Sequence, residues 1–394
     1  MKPQSLCILG RQPSIGLAEL MSLYGNNIQF VSKQAALIDC LPAAININRL
    51  GGTIKLCLIK EVLASKNWAE IQQAVLAILS AHINELSAGK ITLGISVYNS
   101  PLKITQIMAM GLSIKKTLHQ NGRSIRLVPN VTSDISSAQV IHNHLTKNHG
   151  IEIVICCDNH RTILAQTVAI QDIESYGMRD YNRPKRDARV GMLPPKLAQI
   201  MINLATCSLS SSLTLLDPFC GTGVILQEAL LMGYRVYGSD INPKLIDYTK
   251  TNLDWLRLHF NIATNIEPVL EVQNATTAIW NHHFDVVVSE LFLGPPLIKP
   301  PTKDELAAIR QRCDKEIERF LRNIGQQVPP KTRLCIAVPA WQVADGRFIR
   351  LSCLDHLGQL GYNQRSFEHL EPTGLIYART NQIVTRELLI ITRK

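Results

Sequence analysis

The sequence predicts an α/β protein in which a doubly wound, mostly parallel carboxyl-terminal sheet follows an α+β amino-terminal portion. Three observations carry this expectation. From about residue 206 onward, short apolar runs alternate with helix-length segments, the pattern of strands covered on both faces. Leu213-Thr-Leu-Leu-Asp-Pro-Phe-Cys-Gly-Thr-Gly223 reads as a strand and a glycine turn, and helix-compatible spacing continues to Gly233. Residues 1–170 mix strand and helix patterns and contain no internal repeat.

Taken in order, residues 1–60 carry strand-like runs at Leu6–Leu9, Ala36–Asp39 and Ile54–Ile59, and a helix at Gly16–Tyr24 stopped by Gly25-Asn26-Asn27. This predicts a small α+β module. Residues 61–170 predict helices at Trp68–Leu86, Lys103–Gln120 and Ser136–Lys147. They also predict strands at Ile91–Tyr98, Ser124–Val128, Glu152–Cys156 and Thr162–Val168, a second α+β layer. Residues 171–205 read as a basic linker and a leading helix, with Arg183, Lys185, Arg186, Arg189 and Lys196 downstream of Tyr176 and Tyr181. Arginines beside aromatics suit phosphates and unstacked bases. Pro194-Pro195 opens the helix over Lys196–Ala205, since proline is tolerated in a first turn. Residues 206–394 continue as helices at Pro243–Leu258, Lys303–Arg322 and Leu351–Leu360, with strands at Glu267–Val272, Phe284–Ser289, Arg333–Val338 and Arg386–Thr392.

A chain of 394 residues, 46% hydrophobic and 18% charged, buries its own core and is not a disordered polymer. Its ten cysteines are scattered, and the adjacent pair Cys156-Cys157 lies in an apolar run. Reduced, buried thiols are expected, with no metal site. The first apolar run is too short for a signal peptide and no stretch is long enough to span a bilayer, so a cytoplasmic protein without a membrane partner is expected. A net charge of +10 points toward a polyanion such as RNA. Nothing in the sequence identifies a protein partner.

Ligands of doubly wound sheets bind beyond the carboxyl ends of the strands, where this sequence offers Asp217, Asp240, Asn274 and Glu290. Glycines at 221 and 223 allow a sharp turn and let a ligand approach backbone amides at a helix start. Asp240, at the end of the next strand, can accept both hydroxyls of a ribose. A dinucleotide fits poorly, because Leu226 stands where its fingerprint has a third glycine and Asp217 repels phosphate. S-adenosylmethionine, cationic and without phosphate, fits better.

Asp217-Pro-Phe-Cys-Gly-Thr-Gly223, Ser239-Asp-Ile-Asn242 and Asn274-Ala-Thr276 resemble the cofactor motifs of class I S-adenosylmethionine-dependent methyltransferases. Arg183-Pro184 with Gly191-Met-Leu-Pro-Pro-Lys-Leu-Ala-Gln199 resembles the segment leading into the catalytic domain of the THUMP-domain-containing tRNA guanosine-N2 methyltransferases. The resemblance implies a ferredoxin-like module, a THUMP RNA-binding domain and a Rossmann-like catalytic domain, together acting on tRNA or another structured RNA. Asp217, Phe219, Gly221 and Gly223 would then hold the methionine end of the cofactor, Asp240 and Ile241 the ribose, and Asn274 and Ala275 the adenine.

Relatives of this kind usually read Asp/Asn-Pro-Pro-Tyr/Phe at the end of the fourth strand, where this chain reads Glu290-Leu-Phe-Leu-Gly-Pro-Pro296. Glu290 stands at the acid's place and Phe292 can stack a base. An exocyclic amine shares its lone pair with the ring, so the site has to accept the amine protons and aim that pair at the methyl group. The alternatives are that Glu290 pairs with a basic neighbour in a non-catalytic RNA-binding protein, or that the target is an amino group in DNA.

Overall fold

The computed structural model describes residues 4–84, 89–187, 192–207, 213–262, 267–343, 346–370, 375–380 and 382–394. The chain divides into two compact units, Met1–Asn48 with Gly52–Ile173, and Arg49–Gly51 with Glu174–Lys394. Among the described residues no helix is long and apolar enough to cross a membrane.

The first unit contains strands β1 (Ser5–Leu9), β2 (Ile28–Ser32), β3 (Ala35–Ile38), β4 (Thr53–Leu63), β5 (Ile91–Tyr98), β6 (Ile125–Leu127), β7 (Gly150–Cys157) and β8 (Thr162–Ile170). They form one sheet in the order β2-β3-β1-β4-β8-β7-β5-β6. Its helices are α1 (Pro13–Tyr24), α2 (Trp68–Asn84), α3 (Ile104–Gln120) and α4 (Ser137–His142). The expected division at residue 60 falls inside β4, which pairs with β1 on one edge and β8 on the other, so strands from both sides share a sheet. Ile71, Val75 and Leu79 of α2, with Ile107, Ile114 and Leu118 of α3, follow helical spacing and pack on Ile91, Leu93 and Ile95 of β5. Removing each such side chain from water contributes roughly 1.5–3 kcal/mol. Helix α4 stops five residues before the predicted Lys147, because His144 turns into the left-handed region at φ 53° and Leu145 N donates to Val140 O.

The second unit opens with α5 (Ile173–Gly177) and a π-helical turn over Met178–Asn182, so this part of the expected linker is helical. Helix α6 (Pro195–Thr206) follows. Then come β9 (Thr214–Asp217), α7 (Val224–Leu231), β10 (Arg235–Asp240), α8 (Pro243–His259), β11 (Val269–Val272), β12 (Val286–Glu290), α9 (Lys303–Gly325) and β13 (Arg333–Gln342). Four short or late strands complete the unit, β14 (Phe348–Ile349), β15 (Tyr362–Gln364), β16 (Ile376–Tyr377) and β17 (Val384–Arg393). The sheet order is β11-β10-β9-β12-β13-β17-β15, with β14 on β13 and β16 on β17.

Strands β9 to β13 are parallel, as predicted, but β17 runs antiparallel to β13 from Arg333↔Thr392 to Trp341↔Val384. The helix predicted at Leu351–Leu360 is a 3-10 turn at Cys353–His356, and Gly361 at φ 88° leads into β15. Because β15 is also antiparallel to β17, it runs parallel to β13, and β17 then returns between the two. Phe320, Leu321 and Ile324 of α9 pack with Leu334 and Ile336 of β13 in the core of this unit.

Candidate active site

Strand β9 delivers Asp217 and then turns through Gly221 (φ 54°) and Gly223 (φ 81°), the latter capping α7. A Cβ on Gly223 would meet Thr249 Cγ2 at 2.8 Å, so both conformation and space require glycine there. Thr249 in α8 donates its hydroxyl to Gly221 O at 2.9 Å. Asp240, ending β10, accepts Gly221 N–H at 3.0 Å and Asn242 N–H at 2.9 Å, and Asn242 in turn caps α8 by accepting Lys244 N–H. The turn and the expected ribose acceptor are thus one hydrogen-bonded assembly.

A cavity of about 420 Å³ opens at the carboxyl ends of β9, β10 and β12. Asp217, Phe219, Gly221, Asp240, Ile241, Asn274 and Ala275 line it, and so do Glu290 and Phe292. The structure therefore brings together the cofactor and catalytic residues expected from sequence. Gly223 stands behind the wall and acts through turn geometry. The lining residues that escape the sequence reading include the charged pair Arg312 and Glu316 of α9; their four-residue spacing marks one helix face, but nothing in the sequence points that face at the cavity.

Four carboxylates line this cavity, those of Asp217, Asp240, Glu290 and Glu316. Asp217 is 1% exposed and accepts Ser289 Oγ–H at 2.6 Å and Phe219 N–H at 3.2 Å. Burial pushes its carboxyl up to about 7, and the nearby Asp240 and Glu290 charges push the same way. Burial also raises the Asp240 carboxyl, against the two backbone N–H bonds that lower it. A cation entering the cavity relieves this repulsion, and a phosphate aggravates it. The residues present therefore fit S-adenosylmethionine, whose sulfonium and ammonium are positive. Asn274 Oδ1 already accepts Thr276 N–H at 3.0 Å and Thr276 Oγ1–H at 2.8 Å. Its amide NH₂ has no partner among the described residues, which suits a ring nitrogen of adenine better than the amine.

Glu290 ends β12, and its Oε1 accepts Arg386 Nε–H from β17. Both side chains are largely buried, Arg386 at 5% exposure and Glu290 at 13%. The pairing with a basic neighbour is therefore real, yet it engages only one carboxylate oxygen, and Oε2 has no hydrogen-bond partner among the described residues. The ring of Phe292 carries the Arg312 guanidinium over one face, 5.1 Å from its centroid.

The basic residues expected at RNA do not form one surface. Arg183 is 2% exposed and its guanidinium nitrogens are sealed without a hydrogen-bond partner among the described residues, so an RNA phosphate cannot reach it in this arrangement. Lys196 lies over Tyr176 at 4.9 Å, where burial lowers its pKa. Arg186 is exposed and lies over Tyr181, and half-buried Lys185 sits 5.4 Å from the Tyr248 ring, which Lys244 also approaches at 5.1 Å. Arg189 lies outside the described residues. Arg179, unremarkable in the sequence, is buried, stacks on Tyr176 and pairs with Glu228 of α7 at 2.6 Å, pinning the helical connector to the sheet domain.

Residues 183–328 match the model of the RMKL-like methyltransferase domain family. Among curated proteins, the chain is 30% identical over 182 residues to a tRNA (guanine(10)-N2)-dimethyltransferase of Methanothermobacter thermautotrophicus, covering 46% of this chain and 48% of that one. It is 29% identical over 138 residues to the Pyrococcus abyssi protein of the same name, covering 34% and 40%. The chain thus spans less than half the length of the curated relatives it matches. Two solved structures share its fold: TrmN from Thermus thermophilus, at 14% identity and a TM-score of 0.53 over 100% of both chains, and a possible methylase from Clostridium difficile 630, at 13% and 0.53 over 100% of this chain and 98% of that one. Over residues 183–328, within the carboxyl-terminal unit, the chain is similar to the RMKL-like methyltransferase domain family.

Proposed function

We propose that the protein is an S-adenosylmethionine-dependent RNA methyltransferase that modifies the exocyclic N2 of a guanosine in tRNA. The observation that carries this reading is Glu290, with Oε2 unengaged, on the wall of the same cavity as Asp217 and Asp240. The names of the curated relatives support tRNA guanine as the target.

When bound, S-adenosylmethionine supplies a methyl group on a positively charged sulfur. Asp240 accepts the ribose hydroxyls, Asp217 and the Gly221 turn face the cationic end, and Asn274 with Ala275 meets the adenine. Phe292 packs against the target base. Glu290 Oε2 accepts an amine proton, which localises the nitrogen lone pair and offsets the positive charge that develops on it. Arg386 keeps Oε1 engaged and so sets the direction of Oε2. Lys185 and Arg186 contact phosphates. We take the first unit, whose ferredoxin-like and THUMP-like parts share one sheet through β4, as the part that holds the RNA, and the protein as cytoplasmic.

The test is mass spectrometry of nucleosides from a tRNA transcript incubated with the protein and cofactor carrying a labelled methyl group. N2-methylguanosine is expected. Glu290→Gln should lower turnover by about a hundredfold while calorimetry finds cofactor affinity unchanged. A second reading is favoured by the Glu290–Arg386 pair: if the parent binds cofactor and RNA yet modifies neither RNA nor DNA, the pair has locked the acid and the chain is a non-catalytic RNA-binding protein. Methylation confined to DNA would instead make it a DNA amino-methyltransferase.

A further inference from the structure

We infer that Glu316 and Arg312 form a subsite that reads the target base as guanine, the two carboxylates of Glu290 and Glu316 together recognising its amine and the neighbouring ring N–H. This inference rests on the methyltransferase reading of the same cavity.

Helix α9 forms the wall on which this subsite stands. At residue 312 the Arg312 guanidinium covers Phe292; beside it, a Cβ on Gly294 would sit 3.5 Å from Cys313 Sγ, so this turn of α9 packs directly on the segment after Glu290. Two turns further along, Phe320 meets the edge of Phe219, from the glycine-turn segment, at 5.2 Å between centroids. Glu316 lies between these two positions, half-buried, and lines the cavity. Although Arg312 and Glu316 are one helical turn apart with opposite charges, they form no ion pair with each other, and neither side chain hydrogen-bonds another of the described residues. Both are left for a ligand.

Base chemistry gives that pair a meaning. In adenine and cytosine the ring nitrogen beside the exocyclic amine is an acceptor, and a second carboxylate facing it is repelled. Guanine differs, because its N1 carries a hydrogen next to the N2 amine and its O6 beyond N1 is an acceptor. Two carboxylates and one guanidinium in a cavity with an aromatic floor match that order of two donor groups and an acceptor. With Glu290 on the amine, Glu316 accepts N1–H and Arg312 donates to O6. A carboxylate that accepts from a ring N–H discriminates between bases by about tenfold or more.

The experiment uses a full-length tRNA ligated to carry either guanosine or 2-aminopurine at the position the parent methylates. 2-Aminopurine keeps the amine but has an acceptor at N1 and no O6. The parent should methylate guanosine at least about tenfold faster in kcat/KM. Glu316→Gln, whose amide can either donate or accept, should bring the two rates within about threefold of each other, and Glu316→Asp should restore part of the preference. In the absence of cofactor, the rise in 2-aminopurine fluorescence on RNA binding should be larger for Glu316→Gln than for the parent, because the base leaves the quenching stack of its neighbours for a site that no longer repels it. Unchanged selectivity in Glu316→Gln, or about a tenfold loss of cofactor affinity by calorimetry, overturns the subsite, the latter by assigning Glu316 to the cofactor. Methylation of no base at all overturns the methyltransferase reading itself, and the subsite with it.

Discussion

Two buried acids, one in each unit, are treated in opposite ways. In the amino-terminal sheet Glu152 is fully buried, and Lys55 Nζ, Ser96 Oγ and Thr167 Oγ1 all donate to it, the two hydroxyls at 2.5 Å each. Lys55 also donates to Ile135 O at 2.5 Å, so both partners are engaged within the first unit. In the carboxyl-terminal sheet Asp217 is equally buried but has one hydroxyl, one backbone amide and two other acids for company. A saturated acid holds a fold together, whereas an acid short of a cation waits for one. The difference follows from position: Glu152 lies within β7 between neighbouring strands, and Asp217 is the last residue of β9, where the sheet opens into the cavity.

The contrast can be broken most forcefully at Lys55. Lys55→Met leaves the Glu152 carboxylate buried without its cation and should destabilise the protein by about 3–5 kcal/mol, read from urea unfolding of the first unit. Asp217→Asn, by comparison, should leave stability at pH 8 equal to the parent or higher, while abolishing most cofactor binding. If both substitutions cost the same, the two acids play the same role and the contrast is wrong.

A smaller effect sharpens it through pH. The folded-state pKa of Asp217 lies at about 7, raised from its ordinary value, so the folded chain holds a proton there that the unfolded chain has already lost. Its contribution therefore works against stability as pH rises from about 4 to about 7, opposite to a salt-bridged carboxylate. A cationic ligand favours the ionised form, so cofactor binding near pH 6.5 should release a fraction of a proton. Calorimetry in two buffers of different ionisation enthalpy measures that fraction, which should vanish in Asp217→Asn.

The smallest expected effect concerns the surface. Replacing Lys185 and Arg186 by Ala should weaken RNA binding modestly and reduce the salt slope by roughly one to two, since fewer phosphates are neutralised and fewer counterions are released on binding. An unchanged slope would assign these residues to the connector alone.

Much of this is legible in the chain. Ile91–Tyr98 reads correctly at both its ends because its apolar residues Ile91, Leu93, Ile95 and Val97 alternate with the period of a strand. Strand β2 escapes the pattern because Gln29 and Phe30 face solvent on an edge strand. Leu351, Leu354, Leu357 and Leu360 mimic a helix, but a strict spacing of three fits 3-10 turns, which is what the chain forms there. In the site, acids at strand ends are legible because strand ends are where doubly wound sheets bind ligands. The partners that come from far away are not: Arg386 reaches Glu290 across 96 residues, and Arg312 and Glu316 face the cavity through packing of α9. Arg183 misleads because a basic residue beside tyrosines reads as surface, and its burial is a property of the tertiary fold.

The distance between Glu290 and Arg386 also sets an order of events at the ribosome. Strand β17 lies inside the sheet, between β13 and β15, and brings the arginine that holds the acid. While residues 291 to 385 are being made, Glu290 lacks Arg386 and β13 lacks β17 along its edge. At about 5–20 residues per second, that interval lasts on the order of 5–20 seconds. The nascent domain therefore gains the geometry of Glu290 and the β17 place in its sheet in a single late step, and a chain stalled before Arg386 carries the glycine turn and Asp240 without an oriented Glu290.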